Sequence, residues 1–175
     1  CTYANDGCWE VQIPGKTLFR YWSWDILADL QQHILKLGDT SPSCLPYETF
    51  DQLFDAYIAY LKEHFCTYTE QIFPAFTPNV AMSLLVEDCI GNATDLNYRR
   101  GGGAIYTVDA PHAGGIVDAA NALQAINWVV YEQNMMSLNE FMDIVKHDWE
   151  GQESLRLQIR TQLTYYGNGD KEGDA

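Results

Sequence analysis

Gly7-Cys8-Trp9-Glu10, continued by Val11-Gln12-Ile13-Pro14-Gly15-Lys16-Thr17, sets a thiol and a carboxylate two residues apart in a stretch framed by glycines and a proline. In an extended or turn backbone, residues i and i+2 project to one side, so Cys8 and Glu10 can face one small substrate. The pair offers one sulfur and one proton acceptor. Taken alone, the same residues also describe a structural cysteine beside a surface glutamate, and so short a motif does not separate the two readings. What separates them lies downstream in the chain.

The chain has 175 residues, 47% of them hydrophobic, which suits one domain with a real core. Residues 1–175 are therefore expected to form a single domain. A formal charge of -14 argues against nucleic acid or an anionic membrane surface as partner, because either needs clustered Lys and Arg. No apolar run is long enough to span a bilayer and no signal-peptide pattern opens the chain, so a soluble protein is expected. The five cysteines (Cys1, Cys8, Cys44, Cys66, Cys89) are odd in number and lack CxxC or zinc-type spacing, which predicts reduced thiols and a cytoplasmic location. The sequon Asn92-Ala93-Thr94 is then idle. The chain opens on Cys1 and its first methionine is Met82, so a portion of a longer translation product is expected.

Residues 1 to 20 show no sustained helical period and read as loop with a short strand near Val11 to Ile13. Ser23 is a candidate helix cap, followed by Ile26, Leu27, Leu30, Ile34, Leu35 and Leu37 at helical spacing up to Gly38. Asp39 to Pro46 reads as a surface connection. Phe50, Leu53, Phe54, Tyr57, Ile58, Leu61 and Phe65 then form an apolar stripe capped by Thr49, which predicts a core-facing helix with His64 complementing its C-terminus. Pro74 and Pro78 break the chain before an apolar segment, Val80 to Ile90, read as helical. Gly101-Gly102-Gly103 followed by Ala104 to Val108 predicts a close-approach loop leading into a buried strand. Ile116 to Tyr131 reads as an interior helix. Ser137-Leu138-Asn139-Glu140 is a capping box before a helix that buries Phe141, Ile144 and Val145. A last helix is predicted from about Gln152 to Leu163, ending in the polar turn Tyr166 to Asp170.

The residue pattern thus specifies a helix-rich α/β protein. The four histidines (His33, His64, His112, His147) form no metal-ligand pattern, and no serine sits in a nucleophile elbow. Read without outside comparison, the residues stop at a cytoplasmic α/β domain with one suggestive cysteine loop.

Several stretches, in order, resemble the glycyl radical enzymes, the pyruvate formate-lyase-like family. Gly7-Cys8-Trp9-Glu10 with Pro14-Gly15-Lys16-Thr17 is similar to the active-site loop of its Cys-x-Glu dehydratase, decarboxylase and lyase branches. Ser83 to Cys89 and then Gly102 to Tyr106 resemble the family's segment leading into a barrel strand. Ala120 to Ile126 with Val130-Tyr131 resembles the helix that follows. Met136 to Phe141, Trp149 to Arg156 and Tyr166 to Asp170 continue the similarity across nearly the whole chain. The resemblance implies part of the C-terminal half of a glycyl radical enzyme α/β barrel.

It also implies roles. Cys8 matches the cysteine whose thiyl radical takes a hydrogen atom from substrate carbon, and Glu10 matches the base that lets the substrate radical eject its leaving group. Hydrogen-atom transfer suits a protonated thiol, whereas a nucleophilic cysteine wants a histidine partner, and none lies nearby in sequence. The implied partners are a small polar metabolite, a radical S-adenosylmethionine activating enzyme and, as in many relatives, a second copy of the chain. Neither a bound cofactor nor a metal site is implied in this segment. Trp9 and Val11 stand where many relatives have valine and proline, which leaves the substrate branch open. No Arg-Val-x-Gly-Tyr-like segment occurs, so the protein glycyl radical is expected in a missing C-terminal part, with this segment inactive alone. Two other readings stay open from the residues: a non-catalytic barrel homologue acting as a binding or regulatory module, and a helical interaction domain.

Overall fold

A strand occupies Thr17–Asp25, where the sequence reads as loop followed by a helix cap. Its side chains alternate: Leu18 and Trp22 are buried while Tyr21 and Ser23 between and after them are exposed, the period of a half-buried strand. Ser23 is therefore a strand residue and not a cap. Asp25 takes that role, its Oδ1 accepting the Ala28 N–H at 2.9 Å. The protein's structure, a computed structural model, describes residues 3–7, 10–38, 44–71, 77–98 and 103–169. Cys8, Trp9, Asp39 to Ser43, Pro74, Gly101, Gly102 and Asp170 lie outside the described residues.

In chain order the elements are β1 (Ala4–Asp6), β2 (Glu10–Gln12), β3 (Thr17–Asp25), α1 (Ile26–Asp29), α2 (Phe50–Gln71), α3 (Val80–Ser83), α4 (Glu87–Gly91), β4 (Tyr106–Gly114), α5 (Ile116–Ile126), α6 (Leu138–Lys146) and α7 (Glu153–Gln162). Turns of π-helix at Leu30–Ile34 and Asn127–Glu132 widen the helical period after α1 and α5. The fold is helix-rich α/β. Among the described residues the strands pair two by two, β1 with β2 and β3 with β4, and no closed barrel forms. The chain divides into two compact units: residues 1–24 with 64–112, and residues 25–63 with 113–175.

The second unit holds the larger core. Leu30, Leu53 and Val129 are fully buried, and Leu123, Ile126, Phe141, Leu155 and Ile159 pack into the same cluster. Thr49 caps α2 as its position predicts, its Oγ1 accepting the Gln52 N–H at 3.3 Å. Only part of the α2 stripe faces this core: Leu53 and Tyr57 are buried, whereas Phe54 is exposed, because a stripe this wide turns its flank away from the contact. The Tyr57 hydroxyl donates to the Ile26 carbonyl at 2.8 Å, and burial, with Asp29 and Asp25 nearby, pushes its pKa up. The capping box is present: Glu140 N–H donates to Ser137 Oγ at 3.3 Å, and Ser137 N–H donates to Glu140 Oε2 at 2.8 Å.

In the first unit Leu18, Val86, Cys89, Leu96 and Ala104 make a small core. Burial, with help from Asp95 and Asp88, raises the Cys89 pKa against the opposing Ser83 contact, so this thiol stays protonated. Trp22 and Trp24 pack against Phe65, with ring centroids at 6.4 and 5.5 Å. His64 does not end its helix, since α2 runs on to Gln71; its ring instead meets Trp24 edge-on at 6.1 Å. Val80 to Ile90 is two short helices rather than one, with a turn at Leu84-Leu85 between α3 and α4. The strand expected to be buried after the glycines is exposed at its start, Ile105 by 53% and Tyr106 by 48%. A strand is buried on both faces only where layers cover it, and β4 has β3 as its sole strand neighbour among the described residues.

Candidate active site

β1 and β2 pair antiparallel with Ala4 opposite Gln12, Asn5 opposite Val11 and Asp6 opposite Glu10. The chain therefore reverses between Asp6 and Glu10. Gly7 enters that reversal at φ 60°, the left-handed region where a side chain is disfavoured. The glycine serves a second purpose. A Cβ at Gly7 would stand 2.9 Å from Glu10 Oε2, so the carboxylate folds back over the glycine and uses the space a side chain would fill.

The other carboxylate oxygen meets a histidine. Glu10 Oε1 lies 3.6 Å from His112 Nε2, with the glutamate side chain only 12% exposed. That separation is an ion pair when the imidazole is protonated and is longer than a hydrogen bond. His112 belongs to β4 and stacks on Tyr21 of β3, with ring centroids 5.1 Å apart and planes 15° from parallel. Pairing of β3 with β4 supplies that stack.

The stretch after Glu10 is anchored in turn. Ile13 N–H donates to Thr17 Oγ1 at 3.0 Å and Lys16 N–H to the Ile13 carbonyl at 3.0 Å, closing the Pro14-Gly15 turn. Glu87 N–H donates to the Gly15 carbonyl at 2.9 Å, and Lys16 Nζ lies 3.2 Å from Glu87 Oε2. That contact, by hydrogen bond first and charge second, raises the Lys16 pKa. Below it, Asp95 accepts Asn79 N–H and Asn97 N–H at 2.9 and 2.8 Å and Ser83 Oγ at 3.1 Å, fixing the chain that carries α3.

Of the two residues singled out in sequence, Glu10 is placed as a nearly buried carboxylate, and Cys8 lies outside the described residues. The expectation that the two face one substrate falls on Cys8 and so lies outside them as well. Sequence reasoning missed His112 and Tyr21. Neither carries a local signal, because only the meeting of separate strands puts them near Glu10. Among the described residues no helix is long and apolar enough to cross a membrane.

The pyruvate formate lyase-like family model matches residues 1–175. Over 146 residues the chain is 30% identical to the (2S)-3-sulfopropanediol dehydratase of Klebsiella oxytoca, an alignment that takes in 79% of this chain and 17% of that protein. The fold is similar to that of the glycerol-bound B12-independent glycerol dehydratase from Clostridium butyricum, with TM-score 0.77 and 23% identity over 98% of this chain and 23% of the other. It is also similar to hydroxyproline dehydratase from Clostridioides difficile, solved with trans-4-hydroxy-L-proline bound, with TM-score 0.75 and 23% identity over 98% and 23% of the two chains. The chain thus spans less than a quarter of the length of each of these relatives.

Proposed function

Because the chain belongs to the pyruvate formate lyase-like family, we propose that it forms the cysteine-loop segment of a glycyl radical dehydratase that removes water from a small hydroxylated metabolite. The observation that carries this reading is the placement of Glu10, a nearly buried carboxylate two residues from Cys8 in a glycine-framed reversal. A side chain so held suits proton transfer at one substrate group.

A protein glycyl radical, expected outside this segment, supplies the unpaired electron for such chemistry. The Cys-x-Glu spacing and the enclosed carboxylate fit it. Once its own S–H hydrogen atom has passed to that radical, the Cys8 sulfur takes a hydrogen atom from a hydroxyl-bearing substrate carbon, and Glu10 takes the proton of that hydroxyl. The neighbouring carbon expels its hydroxyl as hydroxide, which collects the proton from Glu10 and leaves as water. The product radical then takes the hydrogen atom back from Cys8, restoring the sulfur for the next cycle. Exclusion of water and oxygen protects the radicals, which is the service of an enclosing barrel, and residues 1–175 act as one segment of it. The chain needs no bound cofactor of its own in this reading. It works in the cytoplasm with a radical S-adenosylmethionine activating enzyme, and as a homodimer.

The test uses the enzyme that contains this chain, activated anaerobically and offered glycerol, 1,2-propanediol, sulfopropanediol and 4-hydroxyproline separately. Water loss from at least one of them is expected, and Cys8→Ala and Cys8→Ser should abolish it while the glycyl signal in electron paramagnetic resonance persists. Full turnover by either Cys8 variant, or no turnover by a fully radical-loaded enzyme, overturns the reading.

A further inference from the structure

Glu10 and His112 come from different sheets of the same unit, β2 in one and β4 in the other, and among the described residues no backbone ladder joins those sheets. Their side chains nevertheless meet, Oε1 to Nε2 at 3.6 Å. The glutamate is held from two sides: Gly7 leaves the space that Oε2 occupies, and the imidazole stands before Oε1. The imidazole is itself oriented, because Tyr21 lies flat on it at 5.1 Å and 15°. A flat stack constrains the plane of the ring and leaves its nitrogen edge to meet the carboxylate. Misplacing a proton acceptor by about 1 Å costs up to roughly a hundredfold in rate, so a group that restrains a flexible glutamate acts on catalysis without touching substrate.

We infer that His112, oriented by Tyr21, is the positioning residue that holds the Glu10 carboxylate in its place against Gly7. The inference rests on the proposed role of Glu10 as base. Two substitutions separate the nitrogen of His112 from its ring. His112→Phe keeps a flat ring for Tyr21 and offers nothing to the carboxylate. His112→Gln gives up the ring and keeps an N–H donor at similar reach.

In the activated enzyme, His112→Phe should lower kcat by about tenfold to a hundredfold with KM changed by less than about twofold, and His112→Gln should recover most of the loss. Glycyl radical content, read by electron paramagnetic resonance, should match the parent in both. A His112→Phe enzyme at the parental rate overturns the inference, as does an equal loss in the Phe and Gln variants, which marks a role in the stack alone. Glu10→Gln measured alongside tells the two readings apart. Should Glu10→Gln be inactive and His112→Phe fully active, only the positioning role falls. A fully active Glu10→Gln removes the base and the positioning role together.

Discussion

Gly103 lies so close to Cys89 that a Cβ built on it would stand 2.5 Å from the cysteine sulfur and 2.7 Å from its Cα, and would also collide with the Thr94 carbonyl. Two of those three obstacles are backbone, which cannot swing aside as a side-chain tip can. Gly103→Ala should therefore overpack the small core of Leu18, Val86, Cys89, Leu96 and Ala104 and lower stability by about 1–3 kcal/mol. Chemical denaturation of parent and variant measures it, and an unchanged midpoint would contradict the close approach.

Gly7 makes a contrasting case. Its φ of 60° costs a side chain about 1–2 kcal/mol, but the atom a Cβ would crowd is Glu10 Oε2, at the far end of a flexible side chain. Gly7→Ala should fold with a modest fall in midpoint temperature while turning the carboxylate out of place. In the activated enzyme a loss of at least about tenfold in kcat is expected, and parental turnover would show that the place of the carboxylate over Gly7 is dispensable.

Asp95 makes the stability of the first unit depend on pH. Burial alone would raise its pKa, but the amides of Asn97 and Asn79 and the hydroxyl of Ser83 outweigh it and hold the carboxyl below its ordinary 3.8. The unfolded chain therefore takes up this proton first as pH falls. The stabilisation is complete above the ordinary value and is lost as pH drops through the lower folded one. The stability gap between the parent and Asp95→Asn should stay constant down to about pH 5 and shrink as the pH falls further. A gap that widens on acidification would disprove the assigned network.

Ser137 begins α6 by satisfying the Glu140 amide, and Glu140 returns the bond to the Ser137 amide, which holds the Glu140 carboxyl below its usual range. Ser137→Ala should cost about 1 kcal/mol, since both halves of the box depend on the hydroxyl's geometry. Ser137→Asp, which supplies another cap acceptor, should restore most of it. Equal losses in the two variants would place the effect elsewhere than in capping.

Local rules made much of this protein legible. The i, i+3, i+4 recurrence from Phe50 onward and the Ser137–Glu140 spacing depend on neighbours within a turn or two, so α2 and α6 could be read directly. The ordered motifs from Gly7-Cys8-Trp9-Glu10 to the C-terminal turn carried the family. β3 escaped because the charged Arg20 interrupts the apolar Leu18, Trp22 and Trp24, and their common face shows only once the chain is extended. The helical stripe likewise could not say that Phe54 would face solvent, which depends on what packs beside α2.

At the site, the sequence by itself determined that a thiol and a carboxylate stand two residues apart in a glycine-framed stretch. Only the tertiary structure decided what holds that carboxylate. Gly7 lies close along the chain and would have been guessed as a turn residue alone, while His112 and Tyr21 reach Glu10 through pairing of distant strands. Covalent spacing sets which groups can be neighbours along a strand. Strand pairing and ring stacking set which groups become neighbours in space, and the nearly buried environment of Glu10 belongs to that second kind of cause.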